Sequence, residues 1–325
     1  MAKWQAALIG CGSIGSLHAQ CVQQLDAIEM VAYCDVDAER AQKTLDTYGG
    51  RYATADVDQI LADDAVQVVY ICTQHDTHAD FCIRAAQAGK HVLVEKPLAL
   101  TVEACQAVGR AVADSGITLM TAFKMRYYDL VQKVHELIPQ PSLVTMQMMD
   151  NRWPDDFWAN DPIRGGGNVL SQGVHSCDLL RYLAGSDPVS VAAVGGNYYQ
   201  KTGVIDNMAA VYTFKNGAVA SLVQGDSHCP SLVSKFYLQA FAENQSATLS
   251  ARFCKLVYQQ AGQDPVQYVG SETGFLEENR AFVDALNRGL PAPVDHRDGL
   301  LATLMILQGF AALRSGQPQP VAALL

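Results

Sequence analysis

Ala6-Ala7-Leu8-Ile9-Gly10-Cys11-Gly12-Ser13-Ile14-Gly15 decides the fold of the first half of this chain. Four apolar residues read as a short buried strand. The G-x-G-x-x-G run follows at once, and a helical pattern runs on from Ser16 to Leu25. Glycines at these places allow a tight turn, close approach of backbone to a pyrophosphate, and close helix–strand packing. The phosphates would rest on the helix N-terminus, where free N–H groups and the helix dipole favour anions. The same spacing alone also occurs in ordinary strand–turn–helix loops. A second apolar strand, Met30-Val31-Ala32-Tyr33-Cys34, ends in Asp35, twenty positions after Gly15, where a ribose-binding acid belongs. Together these features predict a dinucleotide site built from Gly10, Gly12, Ser13, Ile14, Gly15 and Asp35. A carboxylate accepts hydrogen bonds from a ribose diol and repels a 2′-phosphate, so the expected cofactor is NAD rather than NADP. Arg40, five residues on, reads as a solvated helix residue.

Strand and helix patterns alternate from there. A helix over Asp37–Tyr48 is stopped by Gly49-Gly50, and a strand covers Val66–Cys72. A helix over Asp76–Ala88 ends at Gly89, Thr101 caps another, and Ile117–Ala122 is a further strand. This predicts a doubly wound parallel sheet, a Rossmann domain over residues 1–122. Within it lies His91-Val92-Leu93-Val94-Glu95-Lys96-Pro97. A buried strand ends here in an acid and an amine, and Pro97, with no N–H, ends the ladder. Ligands bind at the carboxyl ends of such strands. Glu95 and Lys96 are therefore candidate site residues; an ion pair closing a strand end is the plainer alternative. Thr73 and His78 are candidate cofactor contacts. His75 and His78 lie three apart without a matching Cys or carboxylate cluster, so no metal site is expected.

Length and composition fit two soluble globular domains: 325 residues, 49% hydrophobic and 17% charged. A formal charge of −10 argues against nucleic acid or an anionic membrane as partner. The first residues carry no signal-peptide apolar core, and no apolar run is long enough to span a bilayer. The nine cysteines are odd in number and scattered, as reduced core thiols of a cytoplasmic protein would be.

From residue 123 the pattern changes. Leu143–Met149, Val189–Val194, Met208–Phe214, Ala218–Val223 and Phe236–Phe241 read as strands, with Lys215-Asn216-Gly217 as a hairpin turn. Two helical patterns follow, Phe275–Arg288 and Gly299–Ser315. A run of strands after βα units predicts a second, α+β domain over 123–325 with a mainly antiparallel sheet. Arg164-Gly165-Gly166-Gly167 interrupts the strands as a flexible lead into a helix, on which Ser171, His175, Asp178 and Tyr182 share one face. A histidine and an acid on one face suit proton transfer to a substrate oxygen; the plainer reading is a core histidine hydrogen-bonded to Asp178. The loop Asn151–Asp161, with Trp153 and Trp158, offers ring faces and polar forks suited to a sugar, or to an interface or core. Arg126, Arg152 and Arg164 could read a carboxylate or phosphate. His228 beside Cys229 supports no metal assignment.

With these motifs the chain resembles the Gfo/Idh/MocA oxidoreductases, which include the inositol dehydrogenases and glucose–fructose oxidoreductase. The likeness is carried by Gly10–Gly15 with His18, by Ala88-Gly89-Lys90-His91-Val92 leading to Glu95-Lys96-Pro97, and by Gly165–Asp178. The E-K-P motif is far more specific than the glycine loop. The resemblance implies an NAD(P)-binding Rossmann domain joined to a domain with a large open-faced sheet that often mediates oligomers, hence a homodimer or homotetramer. It implies hydride transfer at a carbinol carbon of a sugar, inositol or related polyol. It makes Lys96 the active-site lysine and His175 the histidine near the reacting hydroxyl. Two departures stand out: Ser171 occupies the place of an aspartate in the inositol dehydrogenases, and Thr73-Gln74 replaces a frequent Thr-Pro.

The expectation is an NAD-dependent dehydrogenase with Lys96 and His175 handling the hydroxyl proton. Lys96, Arg126, Trp153, Arg164, Ser171, His175 and Asp178 form the expected substrate set. Ser171 and the tryptophan loop motivate an alternative, a redox-neutral glycoside hydrolase that uses NAD for transient oxidation. A non-enzymatic NAD-binding sensor is the third reading, which intact Lys96 and His175 disfavour.

Overall fold

In the computed structural model, which describes residues 3–227, 234–271 and 273–321, parallel strands in the order β3-β2-β1-β4-β5-β6 build the first sheet. The elements are β1 (Trp4–Ile9), α1 (Ser13–Val22), β2 (Ile28–Cys34), α2 (Ala38–Tyr48), β3 (Tyr52–Thr54), α3 (Val57–Ala62), β4 (Val68–Ile71), α4 (His78–Gln87), β5 (His91–Glu95), α5 (Val102–Ser115) and β6 (Leu119–Ala122). β4 is Val-Val-Tyr-Ile with every residue buried, as a central parallel strand covered on both faces requires. Caps set the helix starts. Asp37 accepts from the N–H groups of Glu39 and Arg40 at 3.1 and 3.2 Å, and Thr101 accepts from that of Ala104 at 3.1 Å. The strand order reverses between β1 and β4, which puts a ligand crevice at their carboxyl ends.

Helix α1 begins at Ser13, three residues earlier than its apolar pattern suggests, because the glycine loop leads straight into it. β3 and α3, three and six residues long, are too short to show a period in the sequence. His75 lies in a 3-10 turn, and His78 opens the helix after it.

The second unit holds α6 (Asp129–Leu137), β7 (Leu143–Met149), α7 (Asn168–Ala184), β8 (Pro188–Gly196), β9 (Asn207–Phe214), β10 (Val219–Gly225), β11 (Phe236–Ala242), β12 (Gln245–Ser250), β13 (Lys255–Gln260) and β14 (Val266–Val269). Two helices follow, α8 (Phe275–Arg288) and α9 (His296–Ser315), and then a short strand β15 (Gln319–Pro320). Among the described residues the sheet has nine strands in the order β14-β13-β12-β11-β7-β10-β9-β8-β15. Only the β7–β10 pair is parallel. β12 and β15 carry few large apolar residues, and β13 and β14 lack strict apolar–polar alternation, so no period-2 pattern marks these four strands. β9 alternates strictly, with Met208, Ala210, Tyr212 and Phe214 buried and Ala209, Val211 and Thr213 exposed.

The unit boundaries differ from a single division at residue 122. The first unit is Met1–Lys124 with Phe275–Leu300, and the second is Met125–Gly274 with Leu301–Leu325. α8 thus belongs to the Rossmann unit, where its Phe282 meets Tyr70 of β4 edge to face at 6.1 Å. Nothing in an amphipathic helix pattern says which sheet it will cover.

Candidate active site

The glycine loop is shaped by the strand ends around it. Gly10 has φ of +96°, and a Cβ there would sit 2.5 Å from the Cys72 carbonyl oxygen after β4. A Cβ on Gly15 would sit 2.0 Å from the Gly10 oxygen. Gly12 is different: nothing lies within 4 Å of its would-be Cβ, and as N-cap of α1 it offers no side-chain acceptor. The loop therefore leaves open backbone N–H groups at Ser13 and Ile14, on a helix start suited to a phosphate. Asp35 is held in place by the N–H groups of Cys11 at 2.8 Å and Asp37 at 3.0 Å. Arg40 is not merely solvated, since its guanidinium reaches Asp35 at 3.1 Å and Asp37 at 3.2 Å. Burial pushes the Cys11 thiol up to about 12, so this loop cysteine is no nucleophile at neutral pH. These residues fit a dinucleotide: an uncluttered phosphate cradle and, at the end of the second strand, an oriented carboxylate.

At the end of β5, Glu95 accepts from the Lys96 N–H at 3.1 Å, and His18 Nε2 lies 3.2 Å from its other oxygen. Burial pushes the Glu95 carboxyl up. The hydrogen bond from His18, with the charges of Lys96 and Lys124, outweighs it and holds the group below the ordinary carboxylate range. Lys96 is half-buried. His78, expected as a cofactor contact, has both ring nitrogens engaged by backbone carbonyls. It is fully buried, with Nδ1 2.7 Å from the Pro97 oxygen and Nε2 3.1 Å from the Thr73 oxygen. It ties the chain after Lys96 to the chain after β4, and the Thr73 hydroxyl is engaged with Thr77 at 2.7 Å.

In the second unit α7 carries a further set of candidate residues. Its glycine lead is packed rather than flexible: a Cβ on Gly165 would lie 2.2 Å from the Ala159 backbone, and Gly166 and Gly167 take φ of +76° and +85°. Asn168, Ser171, His175 and Asp178 follow on one face, all buried. Asp178 is partnered by Arg126 in a two-pronged ion pair at 2.8 and 2.5 Å. Arg126 also lies over the Tyr182 ring, 5.3 Å from its centroid. Arg126 and Asp178, both expected to meet substrate directly, therefore spend their charges on each other. The side chain of Arg164 is exposed, and its backbone N–H donates to Asp161.

Near the start of α7 a polar chain emerges that the sequence did not disclose. Asp150 accepts from Lys235 at 2.8 Å, from the Trp153 indole at 3.3 Å and from the Asn168 amide at 3.5 Å. Gln224 connects Asn168 at 3.4 Å to Ser176 at 2.8 Å. Buried Asp226 accepts from Gln200 at 2.7 Å and from the Tyr199 hydroxyl at 2.9 Å. Asn168 was readable, one turn ahead of Ser171 on the same face. Asp150 and Lys235, 85 positions apart, were not. Among the described residues no group of three or more His, Cys, Asp or Glu is arranged to hold a metal. His228 and Cys229 lie outside the described residues.

Taken together, these features define an NAD-binding Rossmann oxidoreductase with a second domain built on a large, mainly antiparallel sheet. Residues 4–123 match the oxidoreductase family with an NAD-binding Rossmann fold, and residues 135–231 match the GFO/IDH/MocA C-terminal domain. The chain belongs to the GFO/IDH/MocA oxidoreductase family. It is 27% identical over 330 residues to a myo-inositol 2-dehydrogenase of Thermotoga maritima, covering 95% of each chain. It is 31% identical over 219 residues to an inositol 2-dehydrogenase of Rhizobium meliloti, covering 66% of each. Its fold matches an aldose-aldose oxidoreductase from Caulobacter crescentus with a TM-score of 0.89 at 22% identity, over 98% of this chain and 99% of that one.

Proposed function

We propose that the protein is an NAD-dependent dehydrogenase of an uncharged polyhydroxy compound, a sugar or inositol, oxidising one secondary hydroxyl. One observation carries this reading: the surroundings of α7 present amides, hydroxyls and a histidine, while the carboxylates at Asp150 and Asp178 are matched by Lys235 and Arg126 and buried Asp226 is held by Gln200 and Tyr199. Such a surface suits hydroxyls and has little surplus charge for an acid or phosphate. The named activities of the Thermotoga and Rhizobium relatives agree with it.

The bound nicotinamide supplies a hydride acceptor at the reacting carbon. The protein manages the proton. His175 takes it from the substrate hydroxyl as general base. The Lys96 ammonium stabilises the alkoxide and eases that deprotonation. Ser171 cannot add negative charge beside His175, so the imidazole works without a carboxylate one turn before it. Ser171, Asn168 and Trp153 orient the ring of the substrate through hydroxyl, amide and aromatic face.

The test is nicotinamide absorbance with NAD and a panel of inositols, aldoses and glycosides, on the wild type and on Lys96→Ala and His175→Ala. Net reduction with one sugar class, falling by about 10²–10⁴-fold in each variant, is the expected result. Full turnover in both variants overturns the assignment. NAD-requiring sugar release without net reduction would replace it by the redox-neutral glycosidase reading.

A further inference from the structure

Three side chains behind Lys96 form a connected line that hydride chemistry itself does not require. Asn279 on α8 donates its amide N–H to the Phe275 oxygen at 2.7 Å. A carbonyl oxygen can only accept, so the amide nitrogen faces this way. The same nitrogen lies 2.9 Å from His18 Nδ1, nearer than the Asn279 oxygen at 3.4 Å. Nδ1 is then the acceptor, and the ring proton sits on Nε2, which lies 3.2 Å from Glu95 Oε1. Phe275 meets the imidazole edge to face at 5.4 Å, and Tyr70 flanks it at 5.7 Å. His18 and Asn279 are both fully buried, and the Glu95 side chain is only 12% exposed. The other Glu95 oxygen accepts from the Lys96 backbone N–H. Resting on the catalytic role given to Lys96 above, we propose that Asn279 and His18 are positioning residues. Asn279 fixes the His18 tautomer, and His18 locks the Glu95 carboxylate beside Lys96 so that the lysine stays an ammonium during turnover.

The physical reason is charge. A fixed carboxylate favours the ammonium form of a neighbouring lysine, whereas a mobile or neutral one does not. The ionisable groups felt at Glu95 are His18 on α1, Lys96 itself and Lys124. Glu95 in turn acts on Cys72 after β4 and His78 on α4. Burial holds the Cys72 thiol well above its ordinary value and lowers His78, so neither gains charge as the pH rises from neutrality. Glu278, next to Asn279 on α8, is the remaining buried acid that acts on Cys72.

The experiment is the pH profile of kcat/KM for wild type, Glu95→Gln, His18→Phe, His18→Gln and Asn279→Leu, with NAD binding followed by fluorescence as a check on folding. Removing the charge in Glu95→Gln should move the alkaline limb to lower pH by about one unit. His18→Phe should lower kcat by about ten- to a hundredfold, the size of a lost hydrogen bond to a charged group, and move the limb the same way. His18→Gln, whose amide can still donate to Glu95, should restore both. Asn279→Leu should fall between His18→Phe and wild type. A limb that stays put in Glu95→Gln overturns the proposal, even if His18→Phe fails to fold. So does an equal loss at every pH without rescue by His18→Gln. If Lys96→Ala itself turns over normally, the underlying assignment of Lys96 fails instead.

Discussion

Asp178→Asn separates a structural from a substrate-binding role for the α7 acid. The substitution keeps the shape and one acceptor oxygen but removes the charge. Arg126, 8% exposed, is then left with its guanidinium out of water and half its partner gone. Breaking a buried ion pair by removing one partner costs about 3–5 kcal/mol. The retained amide oxygen and the Tyr182 ring under Arg126 put this variant at the lower end, about 3 kcal/mol. For a unit of this size that is a fall in Tm of roughly 6–12 °C, at about 2–4 °C per kcal/mol. Circular dichroism on heating gives the shift, and kinetics on the true substrate give KM. The double replacement Arg126→Met with Asp178→Leu removes both charges and should recover most of the loss, because well-packed apolar residues often substitute for such a pair without penalty. A Tm within about 2 °C of wild type, together with a large rise in KM, would refute this account and return Asp178 to the substrate.

Two further outcomes follow from geometry. Arg40→Ala removes the cation nearest the ribose carboxylate. Because that pair is half-exposed it is worth at most about 1 kcal/mol, so KM for NAD should change no more than about fivefold, while the preference for NAD over NADP should sharpen. Improved use of NADP in steady-state assays would contradict this reading. On the sheet of the second unit, the outward positions Val211, Val223 and Leu143 are 38–47% exposed, and no charged residue stands at the outward positions of the described β9, β10 and β7. A homodimer or homotetramer through this face should scatter light accordingly, and Val211→Lys with Val223→Lys should dissociate it. A wild type that is monomeric at micromolar concentration would exclude it.

The sequence was legible wherever one short stretch carries its own constraint. Gly10 and Gly15 are required by contacts under 3 Å that any Cβ would make, and the strand–loop–helix pattern states that requirement directly. Asp35 follows at the end of the next strand because the parallel sheet puts successive strand ends side by side. Illegible were the partnerships between distant residues. Helical spacing puts Ser171, His175 and Asp178 on one face, as they are, yet no spacing rule pairs Asp178 with Arg126, 52 positions earlier. His18 was visible only as part of a motif, and its tautomer is set by Asn279, 261 positions later. The same cause explains the boundary: α8 reads as any amphipathic helix, but Asn279 and Phe282 bind it to the Rossmann unit through His18 and Tyr70. A local pattern can say that a charged or polar side chain is buried. Only the assembled fold says which partner meets it there, and at this site that partner decides whether the residue faces substrate or supports one that does.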